Sequence, residues 1–319
     1  MLRYLGTLFD AEAGRAYRPF LKEEWEQMPY QDMVFANFGR SSSEITETDL
    51  RMAESTAHQV GKKQIVAEIS GTFEKENKSR QKKRPFGFYY ANGANRICLT
   101  EPLEEEKQQY YMRLGYFLGE GKIMPGLALF EPDEEDCRLF SKYGIPFHIL
   151  TNTGMTKYGT EKEGRIICGR CTYEYLVLPS GAILGEIAKE CICSFAENGG
   201  KLLLLGEPPV SGERPEQSLL PLKSSCTFGE IAREQIYRCK NPETEIYSTY
   251  RKLNEMEVLY AVNASQTRSY TQTFDLGGKV HSFLRLNLMD FTTKQIPLSF
   301  RMRPGEEVLL IPYGKTAGT

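Results

Sequence analysis

Histidine is scarce in this chain. Only three occur in 319 residues, and no two stand at the spacing of metal ligands. No metal and no cofactor are therefore expected. Charge of one sign is also missing: 40 basic side chains meet 42 acidic ones, for a net −2. No global field draws the chain to nucleic acid or to an anionic membrane, and neither is expected as a partner. No apolar run approaches the ~20 residues of a membrane helix. The first ten residues, Met1 to Asp10, form an apolar stretch too short and too interrupted for a signal peptide. Neither an internal repeat nor a low-complexity tract is present. The basic segment Lys75 to Arg84 is brief and reads as a solvated loop.

Cysteine is better represented, with eight residues, several inside apolar segments such as Arg96-Ile97-Cys98-Leu99 and Glu190-Cys191-Ile192-Cys193. Buried free thiols in a reducing compartment look like this, so a cytoplasmic location is expected. Cys168-Gly169-Arg170-Cys171 is a lone Cys-x-x-Cys. Zinc would need two further ligands, and a thioredoxin-like role would need the motif at a helix N-terminus. Here it follows the strand-like Arg165-Ile166-Ile167 and reads as part of a hairpin.

The length suggests two or three domains at ~100–200 residues each. Residues 1–121 alternate strand and helix: a strand Asp32 to Phe38, a helix Glu47 to Val60 opened by the capping-box pair Thr46 and Asp49, and a strand Gln64 to Glu68. A helix Phe86 to Asn92, a strand Ala94 to Leu99 and a long helix Glu104 to Glu120 follow, with Gly121 suited to its C-cap. Three βα units in a row imply a parallel sheet, a partial (β/α) barrel. Residues 122–212 form a second α/β set, flavodoxin-like, with strands at Gly126–Phe130, Ile145–Leu150, Tyr173–Pro179 and Lys201–Gly206 and helices at Glu134–Tyr143 and Leu184–Glu197. From about Ser211 the character changes: helical periodicity fades after Gln235 and evenly spaced strands with Gly and Pro turns follow, so 213–319 reads as an antiparallel β-sandwich.

The chemistry points to one residue. The run Ile65-Val66-Ala67 delivers Glu68 at its C-terminal end, just before Ser70-Gly71. In parallel α/β barrels the active site lies at the C-terminal ends of the strands, so a carboxylate there is a catalytic candidate. The same residue also reads as a strand-end glutamate facing solvent or pairing with a lysine. Glu101 follows the next strand and is a candidate for substrate binding, although Glu101-Pro102-Leu103-Glu104 also suits a helix N-terminus. Asn37 ends the first strand and could bond a sugar hydroxyl or simply form a turn. His58 reads as satisfying a backbone carbonyl and His148 as core.

Asp49 to Lys62, containing Ser55-Thr56-Ala57-His58 and Gly61-Lys62, followed by Ile65-Val66-Ala67-Glu68, resembles the last strands of catalytic barrels in large bacterial glycoside hydrolases of the α-L-rhamnosidase and β-galactosidase types. Asn92-Gly93-Ala94-Asn95-Arg96-Ile97 resembles their next strand, and Tyr111 to Glu131 the helix that leaves the barrel. Tyr175–Pro179 with Phe195-Ala196-Glu197-Asn198-Gly199-Gly200 is similar to their amidotransferase-like domain; Tyr260-Ala261-Val262-Asn263 and Pro304-Gly305 resemble their terminal sandwich. The resemblance implies a glycoside hydrolase, or the C-terminal portion of one, acting on plant or host glycans, with Glu68 as nucleophile or base. It places the acid/base glutamate after a fourth strand this chain does not supply, since a whole barrel takes roughly 250 residues. The implied partners are a glycoside or oligosaccharide substrate and either a second copy of the chain or an upstream half-barrel. The alternative is a non-catalytic relative serving as scaffold or association module.

Overall fold

The structure, a computed structural model, describes residues 33–35, 45–69, 85–99, 103–121, 125–211, 221–278 and 280–314. The first unit is a parallel sheet in the order β1 (Met33–Phe35), β2 (Gln64–Ile69), β3 (Arg96–Leu99). Helix α1 (Glu47–Gln59) lies between β1 and β2, and α2 (Phe86–Ala91) between β2 and β3. Thr46 caps α1 through a reciprocal pair with Asp49, as its sequence indicates. Leu50, Ala53 and Ala57 of α1 meet Ile65 and Ala67 of β2 and Phe88 of α2 in one buried cluster. Helix α3 (Glu105–Glu120) follows. Gly121 does not close it in the left-handed conformation expected of a C-cap glycine; its φ is −73°. Its need for glycine is proximity, because a Cβ there would sit 2.7 Å from Cβ of Arg251.

A second parallel sheet follows, with strands β4 (Leu127–Phe130) and β5 (His148–Leu150) around helix α4 (Glu134–Lys142). Helix α5 (Asn152–Tyr158) leads into an antiparallel ribbon, β6 (Gly159–Lys162), β7 (Arg165–Cys168) and β8 (Cys171–Tyr173). The chain then re-enters the sheet as β9 (Tyr175–Leu178), pairs the short β10 (Ile183–Leu184) with β12 (Val210–Ser211), and adds helix α6 (Glu186–Glu197) and strand β11 (Lys201–Leu204). The sheet order is β11-β9-β4-β5, all parallel. Both faces are covered. Leu127, Leu129 and Val177 face α4, while Ala128, Phe130, Leu176 and Leu178 face α5, α6 and the ribbon. Alternate residues of each strand are thus buried on opposite sides, which is why these strands read as unbroken apolar runs.

Helix α7 (Phe228–Glu234) packs on this same sheet through Phe228, Ile231 and Ala232. Packing changes hands near Tyr237, later than the shift in sequence pattern at 212. The remaining strands are β13 (Arg238–Cys239), β14 (Ile246–Leu253), β15 (Met256–Asn263), β16 (Tyr270–Asp275), β17 (Ser282–Leu286), β18 (Thr293–Pro297), β19 (Ser299–Met302) and β20 (Glu307–Tyr313). They make a five-stranded antiparallel sheet, β14-β15-β20-β17-β18, and a three-stranded one, β13-β16-β19. Leu259, Ala261, Val308 and Leu310 point between the two sheets. Val258, Tyr260, Val262 and Leu309 point the other way, onto α2 and α3. The larger sheet is therefore also buried on both faces.

The ribbon turn Cys168-Gly169-Arg170-Cys171 seats on the end of α1. Arg170 N donates to Gln59 O at 2.9 Å, and Gly169, at φ +58°, leaves no space for a Cβ beside that carbonyl. Gly181 has a similar φ of +65° with nothing within 4 Å of its Cβ position. Gly181→Ala should cost ~1–2 kcal/mol of left-handed strain. Gly169→Ala should cost clearly more, because it adds a steric collision. Urea unfolding of the two variants side by side measures the difference.

Candidate active site

Glu68 is the penultimate residue of β2, in register with Cys98 of β3. Its backbone is described and its side chain is not. β1, β2 and β3 run parallel; β1 ends opposite Val66, and β3 alone runs on beside Glu68 and Ile69 to the C-terminal end of β2. Asn37 and Glu101 lie outside the described residues. The start of β2 is fixed by Asn95: Ile65 N donates to Asn95 Oδ1 at 3.0 Å, and Asn95 Nδ2 donates to Lys63 O at 2.7 Å. One side chain thereby sets the register of β2 against the turn before β3.

Behind this sheet is a polar junction that the sequence does not announce. Glu54 of α1 is buried between two guanidinium groups, Arg51 at 3.0 Å and Arg251 of β14 at 2.9 Å. Burial alone would raise the Glu54 pKa, but Arg251 and Arg51 override it and hold the carboxyl well below the usual range. Arg51 also donates to Ala91 O at 3.3 Å and lies 5.4 Å above the Phe147 ring. Gly93, at φ +114°, is where the turn after α2 passes the Glu54 side chain too closely for a Cβ.

One turn along α1, His58 Nδ1 lies 2.9 Å from His148 Nε2 of β5, and His148 Nδ1 lies 3.0 Å from the Tyr173 hydroxyl. Gln59 Nε2 donates to that hydroxyl at 3.1 Å and to Ile149 O at 3.0 Å. Gln59 Nε2 can only donate, so the Tyr173 proton has His148 Nδ1 and the Cys171 thiol as its acceptors. Directed at His148 Nδ1, it leaves the His148 proton on Nε2, facing His58 Nδ1 as acceptor. Ser55 Oγ accepts from Ile149 N at 2.7 Å. His58 therefore faces another histidine rather than a backbone carbonyl. Of the residues that carry the barrel-like pattern, Ser55, His58 and Gly61 meet the second unit, at Gly61 through the Arg170 side chain, whereas Ala57 packs in the core of the first. That part of the pattern serves the docking of the two units.

A second carboxylate, Glu307 of β20, reaches back to the first unit. It accepts from Tyr111 at 2.9 Å, Tyr260 at 2.8 Å and Gly87 N at 3.1 Å. Burial raises its pKa, and these donors only partly oppose the shift. The eight cysteines are all free, and burial pushes the Cys168 thiol up to about 12, which leaves it a poor nucleophile.

These ionisations set a pH dependence. Burial, with His58 beside it, pushes His148 from 6.5 down to about 3. Between those values the unfolded chain holds a proton that the folded chain lacks, so stability rises with pH across the window and falls on acidification. From pH 7.5 to 5 the loss should be ~2 kcal/mol. His148→Gln should flatten that slope in urea unfolding at the two pH values. Glu54→Gln, which leaves two buried guanidinium groups uncompensated, should cost about 3–5 kcal/mol at pH 7.

The sequence matches no protein-family model and no curated protein. Solved structures do match. A rhamnosidase from Novosphingobium sp. PP1Y superposes with a TM-score of 0.64 at 12% identity over 92% of this chain and 36% of its own. A β-galactosidase from Bacillus circulans sp. alkalophilus gives 0.54 at 10% identity, over 91% of this chain and 61% of its own. A β-galactosidase from Rahnella sp. R3 gives 0.50 at 10% identity, over 90% and 61%. The chain thus spans between about a third and three fifths of these proteins. Its fold is glycosidase-like: a mixed α/β body with several sheets, similar to part of these glycoside hydrolases.

Proposed function

We propose that this chain supplies the last strands of a glycoside hydrolase barrel and the two domains that follow, with Glu68 as the carboxylate of the barrel strand. The observation that carries the proposal is positional. Glu68 stands near the C-terminal end of the central strand of a parallel sheet, where barrel enzymes place their chemistry. In this reading the units are a partial barrel over 1–121, a flavodoxin-like, amidotransferase-like domain over 122–212 and a β-sandwich over 213–319. The sheet order β11-β9-β4-β5 supports the second assignment, and the shared core of the two antiparallel sheets supports the third. The middle domain has no chemistry of its own. The turn after β9 carries Ser180 and Gly181 rather than a cysteine, and Ser180 Oγ is occupied by Glu207 N at 3.0 Å. Eight free thiols fit a cytoplasmic protein.

Glycoside hydrolysis takes two carboxyl groups, one to protonate the leaving oxygen and one to attack the sugar or activate water. Glu68 is the second of these. The first comes from a complementary part of the barrel, and the substrate is a plant or host glycoside. A scaffold reading also has an observation behind it, since Ser55 and His58 of the barrel-like pattern are spent on docking the second unit. Association, through the middle domain or the barrel-sheet edge, belongs to both readings. Assays on aryl rhamnosides and galactosides separate them. The 319-residue chain alone should be inactive or very weak. With the complementary half-barrel turnover should appear, and Glu68→Gln should then lower kcat by ~10²–10⁴-fold. Vigorous hydrolysis by the chain alone, unchanged in Glu68→Gln, would overturn the assignment.

A further inference from the structure

A cleft of about 730 Å³ lies between the second unit and the C-terminal sheets. That volume falls within the ~300–1,000 Å³ of small-molecule sites. One wall comes from Gly126, at the entry to β4, and from Glu174 and Tyr175 at the start of β9; the other comes from Tyr250, Lys252 and Glu257 on the β14–β15 hairpin. These are the N-terminal ends of the parallel strands, opposite the carboxyl ends where α/β sheets ordinarily take ligands. No residue of the first unit lines it among those described, so it is separate from the end of β2.

The charges around the cleft are paired off. Glu174 meets Arg165 at 2.8 Å, and Glu234 meets Lys201 at 3.2 Å. Glu257 stands opposite Lys252 in the β14–β15 register. An anion finds three carboxylates here, and a cation finds each of them already opposite a base. What remains is apolar surface and hydrogen bonding. Ile236 is 65% exposed at the rim. The Tyr250 ring, backed by Tyr237 at 5.5 Å between centroids, is only 7% exposed, and its buried hydroxyl closes no hydrogen bond of normal geometry. The Glu257 carboxylate is near enough that, with burial, it raises the pKa of that hydroxyl. Glu257 is the acceptor nearest that hydroxyl, and a buried donor whose acceptor is poorly placed favours any ligand that supplies a better one. A ligand hydroxyl can accept from Tyr250 and donate to Glu257, which neither a plain cation nor a plain anion can do.

We propose that this cleft is a second, non-catalytic site that binds a short neutral saccharide, held by the Tyr250 hydroxyl and the Glu257 carboxylate. The inference rests on the cleft's own lining and not on Glu68. Gly126 gives a clean way to close it, because a side chain there meets no other residue within 4 Å and its φ is not left-handed. The test is an amide-resolved NMR titration of the full chain with lactose, cellobiose, maltotriose and rhamnose, with spermidine and inorganic phosphate as charged probes. At least one sugar should saturate, shifting the amides of Gly126 and Glu174. Gly126→Leu should abolish those shifts, and Tyr250→Phe should weaken binding about twofold to tenfold, both with unchanged melting temperature. Glu68→Gln should leave them untouched, so this site and the catalytic assignment can fail separately. No sugar shifting these amides, shifts that persist in Gly126→Leu, or saturation by spermidine or phosphate in place of the sugars would each overturn the proposal.

Discussion

A single buried carboxylate, Glu54, ties the molecule together. It sits on the first helix and is neutralised by Arg51, three residues before it, and by Arg251, 197 residues after it. Removing such a group from water is expensive, and only a full set of partners offsets it. The second unit contributes Phe147 beneath Arg51, and the turn after α2 contributes Gly93 beside Glu54. Gly121, at the end of α3, makes room for the Arg251 stem. Helix ends, turns and strands from all three regions are therefore shaped around one charge. Removing one partner of such a group costs far more than the intact set contributes, because it leaves a buried charge unpaired.

The same junction changes the meaning of the motif that pointed to glycosidases. A histidine on α1 and a glycine just past its end, followed by a strand with glutamate near its end, look like one functional stretch. In the fold they separate by purpose. Ser55, His58 and Gln59 grip β5 and Tyr173, whereas Glu68 lies beyond them at the far end of β2. Likeness in such a stretch speaks first of how the first unit meets its neighbour. The role proposed for Glu68 depends on what stands opposite it.

The regular parts of the fold were legible in the sequence. The helices now seen as α1, α3 and α6 announced themselves in the sequence, α1 with its Thr46–Asp49 cap, and the buried parallel strands by apolar runs. The Gly277-Gly278 turn was readable too, with both glycines left-handed at +68° and +74°. Elements made by context were not legible. Helix α5, Asn152–Tyr158, has little apolar periodicity and is held by its Thr151 cap and by Met155. Strand β18 is largely exposed and polar, so no alternation marks it, and β19 alternates over only four residues. α7 was missed as part of the second unit because its anchors, Phe228 and Ile231, follow the change in pattern rather than precede it. The site was legible only as a position, Glu68 at a strand end. The pairing of His58 with His148, 90 residues apart, left no local trace.

The distance between Glu54 and Arg251 also orders events in time. A ribosome adding ~5–20 residues each second takes roughly 10–40 s to pass from one to the other. Throughout that interval α1 can already exist, but its carboxylate has only Arg51 as a cationic partner from the pair. Tyr260 and Glu307, which cover α2, emerge later still. The sheet of β1, β2 and β3 is thus made well before the strands that complete its junction. In that interval its protection falls to whatever shields a nascent chain, and the closing of the junction waits on β14 and β20.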